Sequence, residues 1–400
     1  MNKLLQVTLY TYIMSLFIFN NIAESINYVS MILFLICSVL ILIKISKEKK
    51  LYINKYFWHY LGFTILGLFS CVYTICAENV ISKSVQLIIN TIIILIYTNF
   101  IDNDEKIISL LKVFAISGCV IASLLIVTSD YANADSYSRL GGQLGNVNSI
   151  AIQLTYSISA LLILKNENKK KYHILAEILM IIAILFTGSR KGILMIILLY
   201  AISYILKNYN DISKTIKNVI IAVIIVSIII FIIFNNNFLY NIVGMRVERM
   251  FDFLSGEKVA ERSINVRNEM IHQGIIWHKE KPISGYGLDT YKYLYLNKYG
   301  INYYAHNNYI ELLVDLGIVG VVYYYLIYIK LIKDLIRMKV YKDYASCIFL
   351  VMLIIQILMD YAMVSYSDRI MIIYITIIFS YINIRKERKL KNGNSNNANV

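Results

Sequence analysis

Residues 172–206 read YHILAEILMIIAILFTGSRKGILMIILLYAISYIL, two apolar runs separated by one short polar interruption. Each run approaches the roughly 17–25 residues with which a helix crosses a bilayer. One continuous helix is the alternative, but it would hold the charged side chains of 188–191 at mid-bilayer, where charges are expensive. We therefore expect two helices with a turn at 188–191.

The rest of the chain has the same apolar character. Apolar residues make up 58% of the 400 positions and charged residues 16%, with a single proline. Because soluble domains carry about 25% charged residues, this composition indicates a protein solvated by lipid. Residues 218–234, NVIIAVIIVSIIIFIIF, are apolar on every side, which excludes an amphipathic surface helix.

We predict an all-α, polytopic integral membrane protein with about 12 transmembrane helices and one large external loop that contains short helices. Residues 1–400 form one integral domain, with the external loop at 235–305 inside it and a tail at 385–400 after the last span. The expected spans are 4–21, 26–43, 56–76, 84–100, 107–128, 146–164, 172–188, 191–206, 218–234, 309–329, 344–366 and 370–384.

Lysine and arginine are concentrated in alternate connections, which predicts the orientation of the chain. The loops with three to five cations each are 44–55, 165–171, 207–217, 330–342 and 385–391. The alternate loops at 21–25, 77–83 and 129–145 hold none, one and one. We expect both termini to be cytoplasmic and the loop at 235–305 to lie on the outer side.

Two other classes of protein are disfavoured. The net charge of +14 is spread over separate loops, so it does not form the basic stripe of a nucleic-acid-binding protein. All five cysteines fall inside expected spans without metal-ligand spacing, which supports neither a disulfide framework nor a zinc site. We expect no metal, no cofactor and no nucleic-acid partner.

Two arginines are candidates for binding phosphate. Arg190 lies in the turn at 188–191 with Lys191 beside it. Arg267 lies on a predicted helix over 261–280, on the same side as three isoleucines. A guanidinium group binds phosphate through two parallel hydrogen bonds. The alternative is an arginine that only anchors its helix at the level of the lipid headgroups.

Short glycine and asparagine motifs accompany these arginines along the chain. Gly285 and Gly287 follow the single proline and predict a turn whose backbone a ligand can approach closely. Asn146 and Asn148 enter the span at 146–164, where they either hydrogen-bond sugar hydroxyls or simply begin a helix.

His306 is the candidate proton acceptor. It directly precedes Asn307, and the next residue, Asn308, with Glu311 three positions later, resembles a helix N-terminal capping arrangement. The positive end of that helix would favour a nearby phosphate and keep the histidine neutral. The alternative is a histidine hydrogen-bonded in a headgroup-level loop. A pair of catalytic carboxylates is disfavoured, because Glu311 is assigned to the helix cap and Asp315 then has no second carboxylate to act with.

Taken in order, these motifs resemble the O-antigen ligase and polymerase superfamily. The shared features are Thr-Gly-Ser-Arg-Lys-Gly at 187–192, Arg267 ahead of Pro282-x-x-Gly285-x-Gly287, and His306-Asn307-Asn308-Tyr309 followed by Leu-Gly-Ile-Val-Gly at 316–320. The resemblance covers about residues 140–330 and extends to the whole chain by topology.

The resemblance implies a metal-independent glycosyltransferase that joins sugar chains carried on undecaprenyl diphosphate at the outer face of the bacterial cytoplasmic membrane. It implies that Arg190 and Arg267 bind the diphosphate and that His306 acts with them in catalysis. Further contacts with the substrate are expected from Lys191, Gly285, Gly287, Asn307 and Asn148. Sugar faces are expected to stack on Trp277, Tyr286, Tyr291 and Tyr303.

The expected function is an inverting polymerase of capsular or O-antigen-like surface polysaccharide, with membrane lipid, a flippase and a chain-length regulator as partners. A ligase that transfers a finished glycan to a lipid or cell-wall acceptor is the first alternative, since its chemistry is the same. A transporter or flippase for lipid-linked sugars is the second. It is disfavoured because the proline and the distinctive polar groups lie at the expected external surface and not at mid-membrane.

Overall fold

The computed structural model of the chain describes residues 2–19, 27–129, 144–208, 262–338 and 343–397, with scattered residues between 217 and 248. These segments contain helices, turns and loops but no β-strand. The helices of the five longer segments are α1 (Asn2–Phe19), α2 (Asn27–Glu48), α3 (Lys55–Phe69), α4 (Ala77–Phe100), α5 (Asp104–Thr128), α6 (Val147–Glu167), α7 (Lys171–Thr187), α8 (Arg190–Lys207), α9 (Arg262–Glu280), α10 (Tyr291–Tyr299), α11 (Asn308–Arg337), α12 (Tyr344–Met359) and α13 (Arg369–Asn397).

These helices confirm the all-α class and are consistent with a polytopic membrane protein. Among the described residues, α2, α4, α5, α6 and α11 are long and apolar enough to cross a membrane, and α1 and α12 are shorter apolar helices. The predicted turn at 188–191 is confirmed, because α7 ends at Thr187 and α8 begins at Arg190. The count of 12 spans stays a prediction, and most of the expected span at 218–234 lies outside the described residues.

The described parts of several connections rich in lysine and arginine lie at one end of the helices, which we call the cation-rich end. There the Lys44 ammonium group donates to the carbonyl oxygen of Asn99 at 2.9 Å. Lys386, on α13, pairs with Asp334, near the end of α11, at 2.8 Å. The described parts of the loops at 44–55, 330–342 and 385–391 therefore lie at the same end, and their cytoplasmic location stays a prediction.

The α3–α4 connection lies at the opposite end, against the loop that follows α9. The Tyr73 hydroxyl, between α3 and α4, donates to the carbonyl oxygen of Ser284 at 2.9 Å. The backbone N–H of Leu288 donates to Oγ of Ser70 at 3.0 Å. The loop that follows α9 is thus fastened to the α3–α4 connection.

The same loop is inserted into a break in α11. The sequence predicts one uninterrupted span here, but Gly317 has φ 63° and ψ −165°, which interrupts the helix. The N–H of Tyr286 donates to the carbonyl oxygen of Val314 at 2.9 Å, on one side of the break. On the other side the N–H of Ile318 donates to the carbonyl oxygen of Pro282 at 2.9 Å. The inserted backbone replaces helical hydrogen bonds that the break removes.

The carboxylate of Asp315 fixes the end of the inserted loop. Its oxygens accept the backbone N–H groups of three consecutive residues, Asp289 at 2.7 Å, Thr290 at 3.0 Å and Tyr291 at 2.9 Å. Asp315 is fully buried. Because these donors lie at the start of α10, the carboxylate satisfies N–H groups that a helix cannot pair internally.

A second hydrophobic core joins α9, α10 and the start of α11. Its buried members are Met270, Trp277, Tyr286, Tyr291, Tyr295, Ala305, Ile310 and Val314. The expectation that Trp277, Tyr286 and Tyr291 stack on sugars is therefore wrong, since these side chains are only 7%, 8% and 0% exposed. Tyr303, at 43% exposed, is the one of the four that faces outward.

The α12–α13 connection begins earlier than predicted. The sequence extends the span at 344–366 past Asp360, but α12 ends just before this residue. The Asp360 carboxylate accepts the side-chain amide of Gln356 at 2.7 Å and the hydroxyl of Ser365 at 2.6 Å, which closes a turn. Buried polar groups are paired inside this turn, so it is stable without helical hydrogen bonds.

The last helix is longer than predicted. α13 continues to Asn397, so most of the tail expected at 385–400 is helical. Arg385 and Arg388 lie within ion-pair distance of Asp104 on α5. These pairs hold the start of the continuation against the cation-rich end.

We expect Gly317→Ala to lower the unfolding temperature of the detergent-purified protein more than Gly300→Ala does. A Cβ at position 317 would stand 2.2 Å from the carbonyl oxygen of Ile283, in a backbone conformation that is essentially restricted to glycine. Gly300 has φ 71° with open space around its Cβ position, so alanine there meets only the left-handed penalty of about 1–2 kcal/mol. Equal shifts in the two variants would contradict a tightly inserted loop.

Candidate active site

The turn between α7 and α8 places Arg190 at the start of a helix. Gly188 ends α7 with φ 54°, the left-handed conformation that favours glycine. Ser189 begins α8, because its Oγ accepts the N–H of Gly192 at 3.3 Å. The Ser189 hydroxyl also lies 2.9 Å from Oδ1 of Asn148, to which it donates. The predicted residues Arg190 and Asn148 therefore lie at the adjoining starts of α8 and α6.

Two cations occupy a helix position that normally disfavours them. Arg190 and Lys191 lie in the first turn of α8, which contains no acidic residue. The partial positive charge of a helix N-terminus repels cations there, and a bound anion would relieve this repulsion. Lys191 also donates to the carbonyl oxygen of Ala362, which brings the α12–α13 connection to the same place.

Arg267 lies on the side of α9 that packs against α11. Met270, three residues further along, is 1% exposed. A Cβ on Gly274 would stand 2.3 Å from Cγ2 of Ile310, so α9 and α11 are in close contact there. This contact between α9 and α11 places the half-buried Arg267 near the start of α11, where His306 lies.

Hydrogen bonds fix the two residues that flank His306 in the chain. The N–H of Ala305 donates to Oε2 of Glu311 at 2.7 Å. Asn307 is the N-cap of α11, and its Oδ1 accepts the N–H of Tyr309 at 2.9 Å. Between them His306 has φ 52°, which is uncommon for a residue other than glycine. The position of the imidazole is therefore set by contacts on either side of it.

The cap differs by one residue from the predicted one. Asn307 caps the helix in place of Asn308, and Glu311 reaches back to Ala305 instead of completing a capping box. Asn308 is engaged elsewhere: its N–H donates to the carbonyl oxygen of Asp360 at 2.7 Å, and its Oδ1 accepts the N–H of Ser365 at 2.9 Å. The start of α11 is thereby joined to the α12–α13 connection.

The site holds His306 in its neutral form. Burial, with the positive charges of Arg267 and then Lys191, lowers the pKa of His306 to about 4. Its ring also packs on Tyr304, with the ring centroids 3.9 Å apart. The neutral state agrees with the sequence prediction, but its causes are burial and two neighbouring cations. A neutral imidazole next to two cations can accept a proton close to bound negative charge.

Three residues predicted to bind substrate have roles within the protein itself. A Cβ at Gly285 would stand 2.5 Å from the backbone of Asp315, and one at Gly287 would stand 2.3 Å from Oγ1 of Thr74. The close approach predicted for a ligand at both glycines is therefore made by the protein. Asn307 is 2% exposed, and its side-chain oxygen is occupied by the cap. These residues support the site, and a direct contact with substrate stays a prediction.

Buried carboxylates organise the site, a role that the sequence patterns did not predict. Glu311, Asp315 and Asp360 are each at most 1% exposed and accept hydrogen bonds from the surrounding loops. Nearby, Asp289 pairs with Lys292 at 2.6 Å. The available signal was the presence of acidic residues inside apolar runs, which is costly unless they find partners.

Part of the chain matches the model of a known protein family. No curated protein matches the chain. The matched region begins in α7 and ends in α11, so it contains Arg190, Arg267 and His306. Residues 175–325 match the O-antigen ligase family, which confirms the resemblance of this chain to the O-antigen ligase and polymerase superfamily.

Proposed function

We propose that this protein is an integral membrane glycosyltransferase that polymerises undecaprenyl-diphosphate-linked oligosaccharide units into surface polysaccharide. The observation that carries the proposal is the half-buried position of His306 at the start of α11, where burial and the cations Arg267 and Lys191 lower the pKa of its imidazole. Such an imidazole can take a proton from a sugar hydroxyl, and the cations can bind a leaving phosphate. The match of residues 175–325 to the O-antigen ligase family supports this class of reaction.

Arg190, Arg267 and Lys191 would bind the diphosphate of the donor. Arginine presents a planar fork that fits two phosphate oxygens at once. The start of α8 adds the positive end of a helix dipole beside Arg190 and Lys191. Asn148, which is hydrogen-bonded to Ser189 in the same turn, would contact the sugar next to the diphosphate.

The proposed reaction is a single displacement at the anomeric carbon. The acceptor hydroxyl oxygen forms a bond to the anomeric carbon of the donor sugar while the bond from that carbon to the diphosphate oxygen breaks. The hydroxyl proton passes to His306, and the bonding electrons leave with the diphosphate, whose charge Arg190 and Arg267 neutralise. Attack opposite the leaving group inverts the anomeric configuration. The scheme is metal-independent, as the resemblance implies.

Binding of the donor would also strengthen the base. In the free protein, burial and the two cations hold the pKa of His306 at about 4, which makes it a weak base. The negative charges of a diphosphate offset Arg267 and Lys191, and therefore raise the pKa of the imidazole toward its ordinary range. The base thus becomes effective when the donor is in place.

The proposed location is the outer face of the bacterial cytoplasmic membrane, with both termini cytoplasmic. The candidate site lies at the end of the helices opposite the cation-rich end, where Lys44 and Lys386 lie. A flippase would deliver lipid-linked repeat units to this face, and a chain-length regulator would act on the growing product.

We expect Arg190→Ala and Arg267→Ala each to reduce turnover about 10²–10³-fold at an unchanged protein level in the membrane, because each removes charge stabilisation from the leaving group. The corresponding lysine variants should recover little activity, since lysine cannot form the bidentate fork. Arg337→Ala, an exposed arginine at the other end of α11, is the matched control and should keep the wild-type rate. Full activity in both lysine variants would overturn the diphosphate clamp.

We expect His306→Gln to reduce turnover about 10²–10⁴-fold, because glutamine hydrogen-bonds without accepting a proton. In the wild type the acid limb of kcat/KM should lie near pH 4, where the free imidazole becomes protonated. The acid limb of kcat should lie at higher pH, because bound diphosphate raises the pKa. Both limbs are measured with purified protein over the pH range in which it stays folded.

The matched control for this variant is His272→Gln, an exposed histidine on α9 that should keep wild-type turnover. Wild-type turnover in His306→Gln would mean that His306 only positions substrate. Coincident acid limbs for kcat and kcat/KM would show that the donor does not change the basicity of the imidazole.

Polymerase and ligase activity can be separated with proteoliposomes that contain one defined lipid-linked repeat unit as both donor and acceptor. A polymerase should produce a ladder of products that differ by one repeat. A ligase should leave the repeat unit unextended until a separate glycan acceptor is added. Transfer to that acceptor without any ladder would replace polymerisation by ligation.

A further inference from the structure

A groove between α5, α6 and α7 lies away from the candidate active site. It has a volume of about 740 Å³, and its walls are largely apolar, with Ile116, Val120, Leu124 and Leu161 among them. It opens near the α6–α7 connection, at the cation-rich end. The length of α7, about 25 Å at 1.5 Å per residue, separates this opening from the turn at 188–191.

The mouth of the groove carries an excess of positive charge. Lys112 and Lys170 line it and are exposed, and Glu167 is the acidic side chain that lines it with them. Lys112 lies about two turns inside α5, between Ile108 and Ile116 on the same stripe. A lysine at this depth is expected to extend its ammonium group toward the polar mouth. The groove thus combines an apolar interior with a cationic opening.

A buried imidazole without a partner lies at this mouth. His173 lines the groove, is 8% exposed, and its Nδ1 has no hydrogen-bond partner among the described residues. It lies in the first turn of α7, where the N-cap residue Lys170 makes no side-chain cap and no acidic residue is present. A buried polar atom without a partner is costly, and the start of a helix attracts anions. The helix start favours a ligand with an acceptor group, and the tautomer of His173 that carries its proton on Nδ1 can donate to that group.

We propose that this groove binds an anionic phospholipid of the bilayer. The phosphate lies at the start of α7 between Lys112, Lys170 and His173, and one acyl chain lies along the apolar walls. Ile116 is 54% exposed and Leu175 is 68% exposed, so the helices that form the groove present apolar surface on their outer sides. The groove is therefore open to lipid, which enters it directly from the leaflet.

The charge of the mouth argues against a second copy of the chain as the occupant. A second copy would cover Lys112 and Lys170 and would have to supply acidic groups to both, whereas cations are in excess at this end of the protein. A phosphate-bearing lipid supplies the negative charge and the apolar chain in one molecule. The proposal does not depend on the reaction that the protein catalyses.

The test measures lipid binding to the full-length protein by native mass spectrometry after purification in detergent. Phosphatidylglycerol should bind more tightly than phosphatidylcholine with the same acyl chains. Lys112→Gln combined with Lys170→Gln should weaken the binding of phosphatidylglycerol about 25-fold, because each lysine is expected to contribute about fivefold to the affinity. Cys119→Trp, which fills the apolar part of the groove, should abolish binding while both lysines remain.

The matched control is Lys47→Gln combined with Lys333→Gln, two exposed lysines outside the groove at the same end, which should keep wild-type affinity. The unfolding temperature without added lipid verifies that each variant is folded. His173→Phe, which removes the third proposed contact with the phosphate, should also weaken the binding of phosphatidylglycerol. Equal binding of the two lipids, or equal weakening in the control, would overturn the proposal. So would full competition by inorganic phosphate, or a dimer that the groove substitutions dissociate without any bound lipid.

Discussion

The hydrogen bonds from three consecutive backbone N–H groups to the buried Asp315 carboxylate hold the candidate site together. Asp315 lies two residues before the break at Gly317, so these bonds fix both the inserted loop and the start of α10. α10 packs with α9 in the aromatic core, and α9 carries Arg267. One carboxylate therefore links the shape of a membrane helix to the position of a guanidinium group. Its burial is tolerable because its hydrogen bonds are satisfied.

Local sequence was sufficient for the all-α class and for one helix interruption, but it did not predict two others. The turn after Thr187 was predictable, because glycine and charged residues interrupt an apolar run. The break at Gly317 was not, since the apolar pattern continues on both sides of it. This break depends on a loop that begins at Pro282, far away along the chain. The early end of α12 likewise depends on the hydrogen bonds of Asp360.

In the candidate site too, local sequence indicated helix starts but not tertiary contacts. That Arg190 and His306 lie at helix starts was predictable, from the polar interruption at 188–191 and from the asparagines that follow His306. The neutral state of His306 was predicted from the helix dipole, whereas burial and Arg267 cause most of it. The glycines of the inserted loop were assigned to a ligand because their sequence shows only that something approaches closely. That the approaching atoms belong to Asp315 and Thr74 is a tertiary fact.

The break at Gly317 also affects how far His306 lies from the hydrocarbon layer of a bilayer. From Gly317 to Arg337, α11 is roughly 30 Å long at 1.5 Å per residue, about the hydrocarbon thickness of a bilayer. The part from Asn308 to the break adds no more than about 13 Å. The long part of α11 after Gly317 therefore matches the hydrocarbon thickness, and the short helical part before Gly317 leads to His306. With α11 placed across the bilayer, the imidazole would lie at headgroup level, where the proposed carrier lipid would present its diphosphate without leaving the bilayer.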